Sequence, residues 1–318
     1  MKQCLARVVD NVEVVPGYHR LRLQAPDIAK SARAGQFVHV LPRSGATHDP
    51  LLRRAFSVLS CQETTFDILF RVQGRGTAVL GRHQSGDVLD VLGPLGKPFI
   101  MPHPRNAQAP TAKTPAAAPI EAKAATRAVL VGGGVGVPPL AMLAGQITRM
   151  QASTRTTGTI ATGPAEEVIA LIGARSRGDV LCLDDFARCN TPVEVATDDG
   201  TLGTHGLVTQ LLESHLERGT RDVAGTAPLD GQMAAYSASD SIVYACGPLP
   251  MLQAVAAICA SRTVPCQVSL EESMPCGVGV CNGCVVRVAQ ADDEYGHYRR
   301  VCVDGPVMWA HEIAWEML

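Results

Sequence analysis

Charge of one sign is what this chain lacks most plainly. Its 28 Lys and Arg nearly cancel its 30 Asp and Glu, leaving a net −2 at pH 7. That balance gives no electrostatic footprint for nucleic acid or for an anionic membrane surface. A long uninterrupted apolar stretch is also missing. The longest run, residues 128–145, holds five glycines and the pair Pro138-Pro139, so no membrane span is expected. Residues 1–15 have neither the apolar core nor the small-residue cleavage site of a signal peptide. The cysteine total is odd, at 11, and fits poorly with a secreted disulfide framework. Together these absences point to a cytoplasmic protein. No stretch has the length or repeat of a (β/α)₈ barrel. With 46% hydrophobic residues over 318 positions, the chain can fill two or three cores, and wholesale disorder is excluded.

What is present is concentrated near the end. Cys276, Cys281 and Cys284 follow the spacing C-x4-C-x2-C, and Cys302 lies eighteen residues further on. This is the spacing of a plant-type 2Fe–2S site. Several thiolates must converge on one small inorganic core, so the chain between them has to wrap tightly. Gly277, Gly279 and Gly283 suit such wrapping, because glycine reaches positive φ without steric cost. Zinc would more often take two sets of close Cys pairs, whereas here there is one triplet and a lone fourth. A disulfide framework would need an oxidising compartment. The iron–sulfur reading is favoured over both. The short interval from Cys284 to Cys302 argues for a small appended cluster domain rather than a whole ferredoxin. The other seven, Cys4, Cys61, Cys182, Cys189, Cys246, Cys259 and Cys266, are scattered in mostly apolar surroundings and read as buried free thiols.

The chain in order gives four regions. Residues 1–101 show short runs broken by turn signals such as Pro16-Gly17 and Ser85-Gly86. The runs are Leu5–Val9, Tyr18–Leu23, Gln36–Leu41, Ala55–Leu59, Thr65–Val72 and Val88–Leu92, which predict an all-β barrel or sandwich, with a short helix over 75–82. Residues 102–126 are Pro/Ala-rich with few bulky apolar side chains, and are expected to be a linker or loop insertion. Over 127–270 buried-type strands begin at Arg127, Ile169, Val193 and Ser241, with helical patterns over His205–Leu216 and Leu249–Ala260. That alternation predicts a doubly wound parallel sheet. Residues 218–238 look like a second loop insertion, and 271–318 carry the cysteines.

Two further constellations bear on chemistry. Gly132, Gly133, Gly134 and Gly136 sit between a buried strand and a helix start, where free N–H groups favour a phosphate. The run is not G-x-G-x-x-G, and a tight turn without a ligand is the bland alternative. The same sheet edge carries Asp198 in Thr197-Asp198-Asp199-Gly200, and Cys246-Gly247-Pro248. Both are placed to touch a bound nicotinamide nucleotide, although Cys246 reads equally well as a packed small residue. In the β region, Arg54-Ala55-Phe56-Ser57 puts a cationic fork, an aromatic plane and a hydroxyl close together, with Arg54 and Phe56 on one face and Ser57 on the other. Gly74-Arg75-Gly76-Thr77 repeats the phosphate-cradling pattern ahead of the predicted helix.

These motifs resemble those of the ferredoxin–NADP reductase superfamily. Arg54-Ala55-Phe56-Ser57 looks like its first flavin motif, Gly74 to Thr77 its second, and Leu92 to Gly96 its strand-end turn. The segment Ser269 to Cys276, the cysteine loop, and Val301 to Val307 narrow the likeness to the electron-transfer subunits of class 1B dihydroorotate dehydrogenase. The chain departs from that pattern at Gly96-Lys97-Pro98-Phe99. The resemblance implies an antiparallel FAD-binding β-barrel over 1–101, an NAD-binding α/β domain over 127–270 and a small 2Fe–2S domain over 271–318. It implies FAD held by Arg54, Ala55, Phe56, Ser57, Leu69, Phe70, Arg71, Val72, Gly76 and Thr77. It implies NAD at Gly132, Gly133, Gly134, Gly136, Asp198, Cys246 and Gly247, and the cluster on Cys276, Cys281, Cys284 and Cys302.

The implied activity is an electron relay with no side-chain acid or base. Dihydroorotate is oxidised at FMN in a separate catalytic subunit, and electrons cross the cluster and FAD to NAD⁺, in pyrimidine biosynthesis. The implied assembly is a heterotetramer of two chains of each kind. Alternatives are a subunit of sulfide dehydrogenase or transhydrogenase type, and a non-enzymatic redox sensor. Arg175 and Arg177 follow the second strand, where NADP could be accommodated; the resemblance favours NAD.

Overall fold

A computed structural model describes residues 1–43, 48–102, 125, 127–157, 165, 167–218, 240–289 and 297–318, without the side chains of 154–157 and 218. Apart from their edges, the expected insertions at 102–126 and 218–238 lie outside the described residues.

The first region is a closed barrel. Its strands are β1 (Lys2–Val15), β2 (Tyr18–Gln24), β3 (Phe37–Leu41), β4 (Arg54–Cys61), β5 (Thr65–Arg71) and β6 (Val88–Leu95), with helices α1 (Pro26–Ser31) and α2 (Arg75–Leu80). They close in the order β1-β2-β5-β4-β3-β6, and every pairing is antiparallel. Burial alternates along β6, whereas β3 and β5 are buried almost throughout because their outer faces are covered as well. Val8, Leu21, Leu23, Val38, Val40, Val58, Ile68, Leu89 and Val91 are fully buried. Each such side chain contributes roughly 1.5–3 kcal/mol by leaving water.

A buried carboxylate ties this barrel to the next region. Asp67 is buried and accepts from the guanidiniums of Arg20 and Arg22 and from the Ser60 hydroxyl. Burial alone would raise its pKa, but the two guanidiniums outweigh that and hold it below the usual carboxylate range. Arg20 also reaches Asp185, 2.9 Å away, beyond the barrel.

The second region is a seven-stranded sheet. It contains β7 (Arg127–Gly133), α3 (Val137–Thr157), β8 (Glu167–Ala174), α4 (Leu183–Arg188), β9 (Val193–Thr197), β10 (Thr204–His205), α5 (Val208–Arg218), β11 (Ser241–Cys246), α6 (Leu249–Ser261) and β12 (Cys266–Ser269). Strand order is β10-β9-β8-β7-β11-β12, all parallel, so the order reverses between β7 and β11. That reversal opens a crevice at the carboxyl ends of the strands, where ligands of such sheets bind. β7 and β11 are buried along their whole length, as sheet centres covered on both faces must be.

Three details differ from the sequence reading. The helix expected from His205 starts at Val208, because Thr204 and His205 pair with β9 as a short edge strand. Helices α1 and α4 and strand β12 carry too few residues to show a period. The last segment forms a hairpin of β13 (Val285–Arg287) and β14 (Tyr298–Arg300), then sends β15 (Val307–Trp309) back to β12 as an antiparallel seventh strand. Residues beyond 270 therefore share the nucleotide sheet. The departing stretch Lys97–Ile100 is fastened on both sides. Phe99 stacks edge-on to Tyr244 at 5.5 Å, and Ile100 exchanges hydrogen bonds with buried Gln267.

Candidate functional site

The first cleft lies between the barrel and the sheet and has a volume of about 270 Å³. β3 and β4 supply Phe37, Ala55, Phe56 and Ser57; β5 supplies Leu69, Phe70 and Arg71; Thr77 comes from α2. Val135, Cys246, Pro306 and the stretch from Ser269 to Glu272 with Met274 close the far side. Three consecutive residues of β4 border the cleft, so it reaches both faces of the strand there. The expected split of Phe56 from Ser57 is thus not what decides access. Phe56 and Phe70 meet with ring centroids 5.5 Å apart, forming an aromatic wall.

Arg54 stands just outside this lining. Its guanidinium donates to the carbonyls of Leu52 and Arg53 and lies across Gly76. A Cβ on Gly76 would come within 2.8 Å of Arg54 Nε, so the glycine makes room for the guanidinium. Thr77 Oγ1 accepts from the N–H groups of Gln73 and Gly74 and fixes the turn into α2. Val72 is outside the cleft, half-buried against the barrel core.

The second cleft, of about 430 Å³, opens at the strand-order reversal. Gly133 and Gly134 line it, as do Asp198, Gly173, Arg175, Asp179, Val208 and Met251. Gly132 and Gly136 do not. A Cβ on Gly136 would lie 2.5 Å from the backbone of Cys246 and Gly247, so this glycine lets the turn after β7 touch the end of β11. Gly247 packs against Met251 and Gly133. Cys246 is buried and faces the first cleft, and burial pushes its thiol up. Arg177 is held by Thr201, whose carbonyl accepts from its guanidinium at 3.0 Å, while Arg175 stays on the cleft beside Asp179 and Asp198. Arg71, Gln73 and Val135 border both clefts, and the Arg71 guanidinium sits 5.6 Å above the Tyr18 ring.

The cysteine loop follows the wall of the first cleft. Gly277 and Gly279 have φ of +69° and +80°, and Asn282 takes +55°, so the chain curls as the spacing predicted. Val278 N–H points at Cys276 Sγ, Gly283 N–H at Cys281 Sγ and Cys302 N–H at Cys284 Sγ, at 3.4–3.5 Å. Burial raises the Cys276 thiol, but the N–H groups of Cys281, Val278 and Val280 outweigh it and bring the pKa to about 6. Cys276 neighbours Cys281, and Cys302 neighbours Cys284, as hydrogen-bonding thiols. Among the described residues no three His, Cys, Asp or Glu converge as a single-metal site. Two thiol pairs are instead what a two-iron cluster needs, two thiolates for each iron. All four thiols are free of disulfides, so the donor set fits that group. Arg300 braces the loop, donating to the Gly279 carbonyl at 3.0 Å and to Asp304.

The sequence reading did not assign Tyr18, Phe37, Gln73, Met274 or Pro306 to a cleft, whereas Arg175, singled out there after the second strand, does line the second cleft. It also missed His39, fully buried in β3, whose ring is held neutral with a pKa near 4, first by burial and then by the Arg53 charge. Tyr18, Phe37, Gln73 and His39 stand in no motif, whereas Met274 and Pro306 lie within the segments Ser269 to Cys276 and Val301 to Val307 that flank the thiols.

A flavin-type barrel joined to a doubly wound nucleotide sheet, with the clefts at the junction, defines a reductase of the ferredoxin–NADP reductase fold. In agreement, the chain superposes with a TM-score of 0.69 and 25% identity on an NADH-dependent reduced ferredoxin–NADP oxidoreductase, solved in work on flavin-based electron bifurcation. That match covers 98% of this chain and 91% of the other. The more particular assignment comes from sequence relatives. Residues 271–314 match the family model of the iron-sulfur cluster binding domain of dihydroorotate dehydrogenase B. The electron transfer subunit of dihydroorotate dehydrogenase B (NAD(+)) from Desulforamulus reducens is 32% identical, over 98% of each chain. Its counterpart from Bacillus caldolyticus is 36% identical, over 93% of this chain and 92% of the relative. The chain belongs to the family of dihydroorotate dehydrogenase B electron transfer subunits. Among the described residues no helix is long and apolar enough to cross a membrane.

Proposed function

We propose that this chain is the electron-transfer half of an NAD-dependent dihydroorotate dehydrogenase, in pyrimidine biosynthesis. Electrons from dihydroorotate enter at the cysteine loop and leave at the nucleotide cleft. The observation that carries this reading is the shared walls. Arg71, Gln73 and Val135 border both clefts, and the wall from Ser269 to Met274 runs directly into Cys276. Nucleotide, flavin and thiol sites therefore lie in series. The cofactors are FAD, a 2Fe–2S cluster and, as co-substrate, NAD. The bound flavin supplies the exchange between single electrons at iron and the hydride of nicotinamide. Overall, dihydroorotate gives up two electrons and two protons; NAD⁺ takes both electrons and one proton, and the other proton goes to solvent.

The chain's own residues place and insulate these groups. Phe56 and Phe70 offer an aromatic wall to the flavin ring, with the Ser57 hydroxyl beside it. Arg54, laid over Gly76, suits a pyrophosphate, which a guanidinium grips bidentately. Gly133 and Gly134 bring backbone to the nucleotide phosphates, and Asp198 is placed for a ribose hydroxyl. Cys276, Cys281, Cys284 and Cys302 hold the cluster. The partner is a catalytic subunit that oxidises dihydroorotate at FMN, assembled as two of each chain in the cytoplasm.

Cofactor analysis of the purified chain, followed by dihydroorotate-dependent NAD⁺ reduction on adding the FMN subunit, tests this. Flavin, about two irons per chain and turnover only in the mixture are expected. NADH–dye activity without any response to dihydroorotate would move the chain to a sulfide dehydrogenase or transhydrogenase type of complex. Zinc in place of iron would remove the reading.

A further inference from the structure

His39 has no place in the relay described so far, yet its surroundings are specific. It lies in β3 with 0% of its surface exposed, and neither ring nitrogen has a hydrogen-bond partner among the described residues. A neutral imidazole carries one N–H donor and one lone pair. Leaving both unpaired in an apolar setting costs the desolvation of each, so native proteins supply a partner. The barrel does not supply one. Phe37 lies against the ring at 5.7 Å, and the β3 neighbours across the strand are Ala55 and Leu92. Arg53 reaches only the His39 backbone carbonyl.

The remaining side is the cysteine loop. A Cβ on Gly277 would lie 2.6 Å from His39 Cε1 and 2.7 Å from Nε2, so the imidazole fills the space a side chain would occupy there. Gly277 follows Cys276 directly. Phe37 and Ala55, neighbours of His39 on the same face of the sheet, border the flavin cleft. The ring thus stands between the flavin site and the cluster loop, on a strand of a closed barrel that fixes its position.

We propose that the His39 imidazole donates its N–H to a sulfur of the cluster held by Cys276, Cys281, Cys284 and Cys302, and thereby raises the cluster's reduction potential. The inference rests on the cluster reading given above. A donor at sulfur stabilises the negative charge added on reduction, and hydrogen bonds to sulfur are among the terms that set such potentials. His39 is a positioning residue in this scheme. Because the flavin barrel contributes it, the cluster keeps its potential only while the cysteine segment is docked on that barrel.

The test uses the full chain with FAD and cluster, through EPR-monitored redox titration and pulsed EPR on protein labelled with ¹⁵N-histidine. The reduced cluster of the parent protein is expected to show a coupling to imidazole nitrogen that His39→Leu abolishes. His39→Leu should lower the cluster's one-electron reduction equilibrium about tenfold, a shift of about 59 mV, with the flavin potential unmoved. His39→Gln, which keeps an N–H, should restore most of it. Absence of nitrogen coupling in the unmutated protein would overturn the inference, whatever the variants do. So would a cluster potential in His39→Leu within about twofold of the parent in equilibrium constant, or an equal shift in both variants. A chain that binds flavin but no iron would overturn the cluster assignment first, and this inference with it.

Discussion

Two glycine-rich loops in this chain look alike in sequence and use glycine for different reasons. In the loop from Gly132 to Gly136 the decisive residue is Gly136, pressed against the backbone of Cys246 and Gly247, where a Cβ would sit 2.5 Å away. Only Gly134 there has a positive φ, +54°, and it faces open space. In the cysteine loop both Gly277 and Gly279 have positive φ, and side chains, His39 and Val303, occupy the place of the missing Cβ. The first loop packs Gly136 against the end of β11, and its Val135 borders both clefts. The second curls the chain between the cysteines proposed to hold the cluster. Close approach and left-handed backbone are separate demands, and glycine meets each.

The largest expected effect separates the loops by cofactor. Cys284→Ser should reduce iron from about two per chain to near zero while FAD and NADH–dye activity persist, by metal analysis and absorbance. Next, Gly136→Ala should destabilise the protein by about 3 kcal/mol, since the clash is with backbone that cannot rotate away. Chemical unfolding reads this, and the nucleotide KM should rise with it while iron content holds. Gly277→Ala should cost about 2 kcal/mol, part from φ and part from the imidazole. Adding His39→Ala should recover the contact part only and leave about 1 kcal/mol from φ, in a double-mutant cycle. Full recovery would mean that the backbone there is not strained by a side chain. The smallest effect belongs to Gly134→Ala, which pays for φ alone in open space: about 1 kcal/mol, with no loss of iron or flavin.

These differences mark what the sequence could and could not disclose. Three of the four cysteines proposed to hold the cluster come from one short loop, so their spacing displays the candidate site directly. The barrel strands are legible because short runs in 1–101 are punctuated by glycine and proline turns, and Val193–Thr197 and Ser241–Cys246 form as read. Phe56, Ser57 and Arg71 reach the flavin cleft because they sit on such strands. The glycine run is different. All four glycines read as phosphate-facing, yet Gly132 and Gly136 are used for packing, since which glycine meets a neighbour depends on β11, far away in sequence. His39 was an ordinary member of a predicted strand, and only the docking of Gly277 gives it a role. β15, three residues long, carries no periodic signal and is recruited by the free edge of β12.

The most direct test of the serial arrangement is anaerobic reduction of the isolated chain by NADH, followed by EPR of the cluster. With FAD bound, the reduced-cluster signal is predicted to appear; in flavin-stripped protein with the same iron content, it is predicted to stay absent until FAD is restored. A cluster that NADH reduces equally fast without flavin would contradict the account.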